Sequence, residues 1–223
     1  MEKERHVLVV FPHPDDEAFG VSGTMAAHVA NGTPVTYACL TLGEMGRNLG
    51  DPPFATRESL PLIRKNELID AAEAIGLKDL RMLGYRDKTL EFEDEEKIIA
   101  DITAIINEVN PSLVISFYPG YAVHPDHDAT GAAVVKAVER ISPSERPKLH
   151  VLAFSNGCEE EIGQADVVYD VTSFADIKIA ALLSHRSQAQ LMVAGLEEKY
   201  EQGDPDVLAR INFERFWTYR FTD

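Results

Sequence analysis

The first regular element announced by the sequence is Val7-Leu8-Val9-Val10-Phe11, an apolar run without a polar break that ends at Pro12. A run of this kind, rich in β-branched residues, predicts a strand buried on both faces, as in a parallel sheet covered by helices. From Asp15 onward Ala18, Val21, Met25 and Val29 recur at helical spacing, and Asn31-Gly32 predicts the end of that helix. Residues 34–42 repeat the strand signal, and residues 57–75, closed by Gly76, repeat the helix signal. The alternation continues with a short strand at 80–83, a helix at 94–109 and a strong strand at 113–117. A helix at 126–138, strands at 149–154 and 167–171, a helix at 174–184 and an aromatic strand at 216–221 complete it. Strands separated by helices in this order predict an α/β fold, three-layered and doubly wound in the Rossmann-like manner. Its central sheet is mostly parallel, and its ligand site lies at the carboxyl ends of the strands. The Gly- and Pro-rich stretch 43–61 reads as a long loop at that same edge.

Composition narrows the function classes. With 223 residues the chain supports one well-buried core, so residues 1–223 are expected to form a single domain. No apolar run approaches the twenty or so residues of a membrane span, and the charged start Met1-Glu2-Lys3-Glu4-Arg5 lacks the pattern of a secretory leader. A cytoplasmic protein without membrane partners is expected. Two cysteines, Cys39 and Cys158, make no disulfide framework and match no zinc-thiolate spacing. The formal net charge of -16 repels a phosphate backbone and disfavours nucleic acid as a partner. It does not prevent a small anion from binding at a site with its own arginine or metal. The aromatic segment from Phe213 to Trp217 suits a core, or less readily an interface.

The chemistry is concentrated in two clusters. His13-Pro14-Asp15-Asp16-Glu17 follows the first strand, and His124-Pro125-Asp126-His127-Asp128 follows the strand at 113–117, each opening a helix. In both, residues three apart share one side of a turn: His13 with Asp16, and His124 with His127. Proline after each histidine suits a first helical turn. Imidazole and carboxylate are both zinc donors, and a catalytic zinc keeps three protein ligands and an open position, so two histidines and one aspartate suffice. A neighbouring carboxylate can then serve as general base to the water. Acidic residues at helix starts also act as simple caps, and that reading fits Asp15, Asp16, Asp126 and Asp128 one by one. It does not account for two His-Pro pairs at two strand exits on the functional edge.

On these residues the sequence resembles the PIG-L-like (LmbE-like) zinc deacetylases, which remove the acetyl group from N-acetylglucosaminides. The likeness also takes in Thr41-Leu42-Gly43-Glu44, Arg64-Lys65-Asn66-Glu67, Gly84-Tyr85-Arg86-Asp87 and His185-Arg186-Ser187-Gln188. It implies Zn2+ ligands at His13, Asp16 and His127, although Fe2+ can occupy the same donors in cells. It implies a general base at Asp15 and a histidine acting on the oxyanion or the leaving amine at His124, with Asp126 orienting a histidine. It further implies substrate contacts at Glu44, Arg64 and Asp87, and it is compatible with homo-oligomers. Within the family the chain looks most like the bacillithiol-biosynthesis deacetylases, whose substrate is N-acetylglucosaminyl malate. Arg64, and from the loop Arg47 or Arg57, would then meet the malate carboxylates. One departure stands out: Ala122 occupies a position where some relatives carry tyrosine, with Tyr118 and Tyr121 nearby.

Other readings fare less well. An amidase of thiol S-conjugates, or a deacetylase of another acetylated glycoside, would use the same site. A non-catalytic nucleotide-binding module would need a Gly-x-Gly-x-x-Gly turn where this chain has Pro12-His13-Pro14-Asp15-Asp16. A closed structural zinc site would ordinarily include cysteines.

Overall fold

In a computed structural model, which describes residues 1–222, seven strands form one sheet in the order β3-β2-β1-β4-β5-β7-β6. The strands β1 (Val7–Phe11), β2 (Val35–Thr41), β3 (Asp79–Tyr85), β4 (Leu113–Phe117) and β5 (Lys148–Leu152) run parallel. β7 (Phe213–Thr218) is antiparallel to β5, and β6 (Val167–Asp170) is antiparallel to β7. The expected mostly parallel three-layer fold is therefore present. Alternate residues of the inner strands feed two cores. Val7, Val9, Phe11, Tyr37, Ile115 and Phe117 pack beneath α1 (Asp16–Gly20), α2 (Ser22–Ala30), α3 (Leu60–Ile75) and α7 (Ala175–Ser184). On the other face Leu8, Val10, Leu40, Val114 and Val151 meet α4 (Glu95–Val109) and α5 (Pro125–Glu139). Every residue of β1, β2 and β4 is buried, and the hydroxyls among them are bonded: Thr36 to Asp79 at 2.7 Å, Thr41 to the Pro12 carbonyl at 2.8 Å and Ser116 to the Val10 carbonyl at 2.9 Å.

The helix expected after Asp15 is broken in two. Val21, at φ -146°, separates α1 from α2, and Glu214 of β7 enters behind the break. Its carboxylate accepts the N–H groups of Gly23 and Thr24 at 3.0 and 2.7 Å and pairs with Lys178 Nζ at 2.7 Å. It thus satisfies donors that the first turn of α2 leaves without helical partners. The last strand begins at Phe213 rather than Phe216, because Glu214 points inward, and Phe216 and Trp217 are buried as a core reading of this segment anticipates. Four short helices lie where no helix was expected: α6 (Cys158–Ile162), α8 (Arg186–Ala189), α9 (Leu196–Glu201) and α10 (Pro205–Asn212).

Two features set the surroundings of the site. The loop after β2 is fastened to the segment around α8 by reciprocal bonds: Asn48 Nδ2 to Gln188 O at 3.0 Å and Gln188 Nε2 to Asn48 O at 2.9 Å. Nearby, the Asp51 N–H donates to Gln190 Oε1 at 3.2 Å and Gln190 Nε2 donates to the Asp51 carbonyl at 2.6 Å. On α5, Gly131 lets the helix lie against the end of β4, since an added Cβ would sit 2.5 Å from the Phe117 carbonyl oxygen. Gly131→Ala is expected to destabilise the protein by about 1–3 kcal/mol through this backbone clash. A thermal melt checks it, and an unchanged midpoint would show that α5 can shift freely.

Candidate active site

The strand order reverses direction between β1 and β4, the point where the turns leaving two adjacent parallel strands diverge and leave a crevice. His13 leaves β1 and His124 and His127 follow β4, so the fold brings the two clusters together. His13 Nδ1 lies 3.2 Å from His127 Nε2 and 3.5 Å from Asp16 Oδ2. His127 Nε2 lies 3.3 Å from Asp16 Oδ1. A tetrahedral ion with zinc–nitrogen bonds of about 2.0–2.1 Å has donor-to-donor edges of about 3.3–3.4 Å. The His13–His127 edge is close to that length, and Asp16 completes a triangle of side chains by meeting each histidine with a different carboxylate oxygen.

Their hydrogen bonds assign the tautomers a ligand needs. His127 Nδ1 bonds the carbonyl of Ala122 at 2.9 Å, which puts its proton there and leaves the Nε2 lone pair toward the triangle. His13 Nε2 faces Asp126 Oδ2 at 3.2 Å and Asp87 Oδ1 at 3.1 Å, which leaves Nδ1 as the free donor. The His127 ring is stacked on Phe117, with centroids 4.2 Å apart. Ring nitrogens of His13, His124 and His127 also lie within 4.8 Å of one another. His124 differs, however: its Nδ1 accepts the Asp126 N–H at 3.1 Å as the cap of α5, so a neutral ring carries its proton on Nε2. That nitrogen is a donor and not a ligand.

The charge balance also suits a cation. Burial opposes protonation of His13, but hydrogen bonds to Asp126, Asp16 and Asp87 outweigh it and hold its pKa well above the ordinary value. Burial likewise raises Asp16, yet His127 and His13 prevail and bring it far down. A pocket of carboxylates that stabilises imidazolium stabilises any cation in the same place.

Asp15 occupies a conformation that L-residues rarely adopt, φ 107° and ψ -27°, at an expected cost of about 1–3 kcal/mol. Two arms hold it there. Arg64 of α3 donates to Asp15 Oδ2 at 3.1 Å, to the Gly43 carbonyl at 2.8 Å and to the Pro14 carbonyl. Gly43 is required for this approach: at φ 58°, its Cβ would fall 1.8 Å from Arg64 Nη1. The second arm is Glu17 Oε2, which accepts the Asp15 N–H at 3.1 Å. Burial lifts the Asp15 pKa to about 6, against the pull of Arg64 and with the help of Asp16.

The remaining sequence expectations fall unevenly around this centre. Asp126 joins the site through His13, and also accepts Lys88 N–H and Leu90 N–H at 2.7 and 3.2 Å. Asp87 is buried behind His13 and accepts Met45 N–H at 2.8 Å, while Arg64 is buried behind Asp15. Both are bonded within the protein. Glu44 accepts Asp87 N–H with Oε1, and its other oxygen has no protein partner. Arg57 donates to the Gly46 carbonyl at 2.7 Å, and Arg47 is exposed. The Tyr121 hydroxyl bonds Glu161 at 3.1 Å, and Tyr118 packs on Tyr121 and Tyr219. Motif reasoning gave no role to Glu17 or His185, although both stand in the resembling segments. They are fully buried and 2.5 Å apart, His185 Nε2 to Glu17 Oε1. Beside Asp16 opens a cavity of about 930 Å³, with Phe19, Phe117, Phe154, Asn156 and Arg210 in its wall.

Comparisons with known proteins agree on this region. The family model described as GlcNAc-PI de-N-acetylase (PIG-L) matches residues 8–138, which include both His-Pro turns. The chain is 51% identical over 220 residues to "Probable N-acetyl-alpha-D-glucosaminyl L-malate deacetylase 2" of Bacillus subtilis (strain 168), covering 99% of this chain and 100% of that protein. Among solved structures, N,N'-diacetylchitobiose deacetylase from Pyrococcus horikoshii superposes with TM-score 0.73 at 24% identity, over 97% of this chain and 84% of that one. The 4-carboxy-2-hydroxymuconate hydratase of Pseudomonas putida KT2440 does so with TM-score 0.72 at 22% identity, over 98% of each. A deacetylase and a hydratase share this fold, so the likeness to these structures speaks for the fold alone.

Proposed function

The chain belongs to the PIG-L family of de-N-acetylases, and on that premise we propose that it is a metal-dependent deacetylase of N-acetylglucosaminyl L-malate. The observation that carries the metal dependence is the convergence of His13 Nδ1 and His127 Nε2, 3.2 Å apart, on the Asp16 carboxylate, which meets the first with Oδ2 at 3.5 Å and the second with Oδ1 at 3.3 Å. The malate aglycone rests on the full-length similarity to a relative bearing that substrate in its name.

In this reading His13, Asp16 and His127 hold one Zn2+ or Fe2+. When bound, the ion supplies Lewis acidity toward the acetyl carbonyl and lowers the pKa of a water molecule. Asp15 takes the proton of the attacking water as its oxygen joins the carbonyl carbon. His124, whose ring lies 4.9 Å from that of His13 and 5.2 Å from that of His127, can donate from Nε2–H to the developing oxyanion or to the amine nitrogen as the C–N bond breaks. Acetate and a free glucosamine amine result. Asp126 orients His13, Asp87 supports it, and Glu44 stands behind them, with Oε1 on the Asp87 N–H and Oε2 shielded from solvent. Arg64 acts from behind, on Asp15, so recognition of the malate carboxylates falls to other cations, among which Arg210 lines the cavity. The catalytic unit is the whole chain as one domain. Among the described residues no helix is long and apolar enough to cross a membrane.

Acetate release from N-acetylglucosaminyl malate, compared with the inositol and chitobiose counterparts on zinc-loaded protein, tests the proposal. Preference for an aglycone other than malate would replace the substrate and keep the chemistry. No release from any of them would remove the enzymatic reading. Asp126→Asn is expected to weaken metal affinity by about 10–100-fold, as loss of an outer carboxylate on a ligand histidine does. Competition with a metal-binding dye measures it, and unchanged affinity would deny that Asp126 tunes His13.

A further inference from the structure

Of the two arms on Asp15, only one bonds its backbone, which has φ 107°. Arg64 reaches only the carboxylate and neighbouring carbonyls. The Asp15 N–H is held by Glu17 Oε2 at 3.1 Å, and that same oxygen accepts the Tyr37 hydroxyl at 3.1 Å. The other oxygen of Glu17 is taken by His185 Nε2 at 2.5 Å. Tyr37 in turn reaches the carbonyl of His13 at 3.3 Å. Glu17 and His185 are both fully shielded from solvent, so the pair serves no surface purpose. His185 follows α7 and is itself fixed from α3, where Glu67 accepts both the N–H and the hydroxyl of Ser187 at 2.6 and 2.7 Å. Thus α3 governs Asp15 twice, through Arg64 on the carboxylate and through Glu67, Ser187, His185 and Glu17 on the amide.

We propose that Glu17 and His185 are positioning residues, which hold the Asp15 backbone so that its carboxylate faces the attacking water. His185 lies beyond the stretch matched by the family model, so the tail of the chain contributes directly to the geometry of the first turn. The inference rests on Asp15 being the base, and its test separates the two ideas.

The experiment is a double-mutant cycle of Glu17→Ala and Asp15→Ala on zinc-loaded full-length enzyme, with kcat, KM, bound metal and melting temperature measured for each. Glu17→Ala alone is expected to lower kcat by about 10–100-fold, the scale of a misplaced catalytic group, with KM and metal content within about twofold of wild type. Glu17→Gln, which can still accept the Asp15 N–H, should restore most of the loss. In the Asp15→Ala background, Glu17→Ala should change kcat by less than about threefold, because a residue acting through Asp15 has nothing left to act on. A full multiplicative loss there, or a fall in melting temperature and metal content with kcat per bound metal unchanged, would overturn the positioning role. Full turnover of Asp15→Ala would instead remove the base on which it rests. Should Glu17→Ala fail to fold, His185→Ala, which removes only the outer anchor, is read in the same cycle by the same criteria.

Discussion

Asp15→Ala is expected to lower kcat for acetate release by about 10²–10⁴-fold, the range for loss of a general base, while the protein still binds its metal. The expectation separates the two adjacent aspartates. Asp16 turns both oxygens toward His13 and His127, so removing it should cost the ion itself. Asp15 turns its carboxylate toward Arg64, off the triangle, and burial already raises its proton affinity toward that of a useful base. Elemental analysis beside steady-state kinetics makes the distinction. An Asp15→Ala enzyme with wild-type turnover would end the assignment, and one that has lost its metal would make Asp15 a ligand instead.

The second large effect is loss of the cation. Treatment with a chelator should abolish acetate release, and Zn2+ or Fe2+ should restore it. His127→Ala should reduce metal content and turnover by more than the ~10–100-fold that follows loss of an outer partner, since it removes one of three donors. His124→Ala, by contrast, should keep the metal and lose turnover, because the bond from Asp126 N–H occupies Nδ1 and makes Nε2 a proton donor. If His124→Ala lost the metal just as His127→Ala does, the ligand set would be the histidine trio and not the mixed triangle.

Much of this was legible in the sequence where a local pattern determines a local outcome. β1 and β4 declare themselves because strands buried on both faces are almost wholly apolar, their single polar residue, Ser116, turning its hydroxyl to the Val10 carbonyl, and the His-Pro-Asp turns come after them in the chain. What depends on distant partners was not legible. Arg64 reads as a helix charge able to meet a substrate, yet it points inward, because Gly43 leaves room for a guanidinium there. Asp87 similarly finds His13, a partner no spacing rule names. The break after Gly20 arises from Glu214, 191 residues away from Gly23 in the chain. Glu214 also misled the placement of β7, since an inward-facing carboxylate interrupts the apolar pattern until Lys178 is seen beside it. The short helices of the second half are too brief to show a helical period, but α10 carried a usable sign. Asp204-Pro205 is a cap followed by proline at the first helical position, and the Asp204 carboxylate does accept Asp206 N–H and Val207 N–H.

The side-chain amides of Asn48, Gln188 and Gln190, together with the backbone of Asp51, join residues 48–51 to residues 188–190 in one seam. A seam stitched at four points does not swing as a flap. For residues 48–51 to part from residues 188–190, all four of these bonds would have to break together.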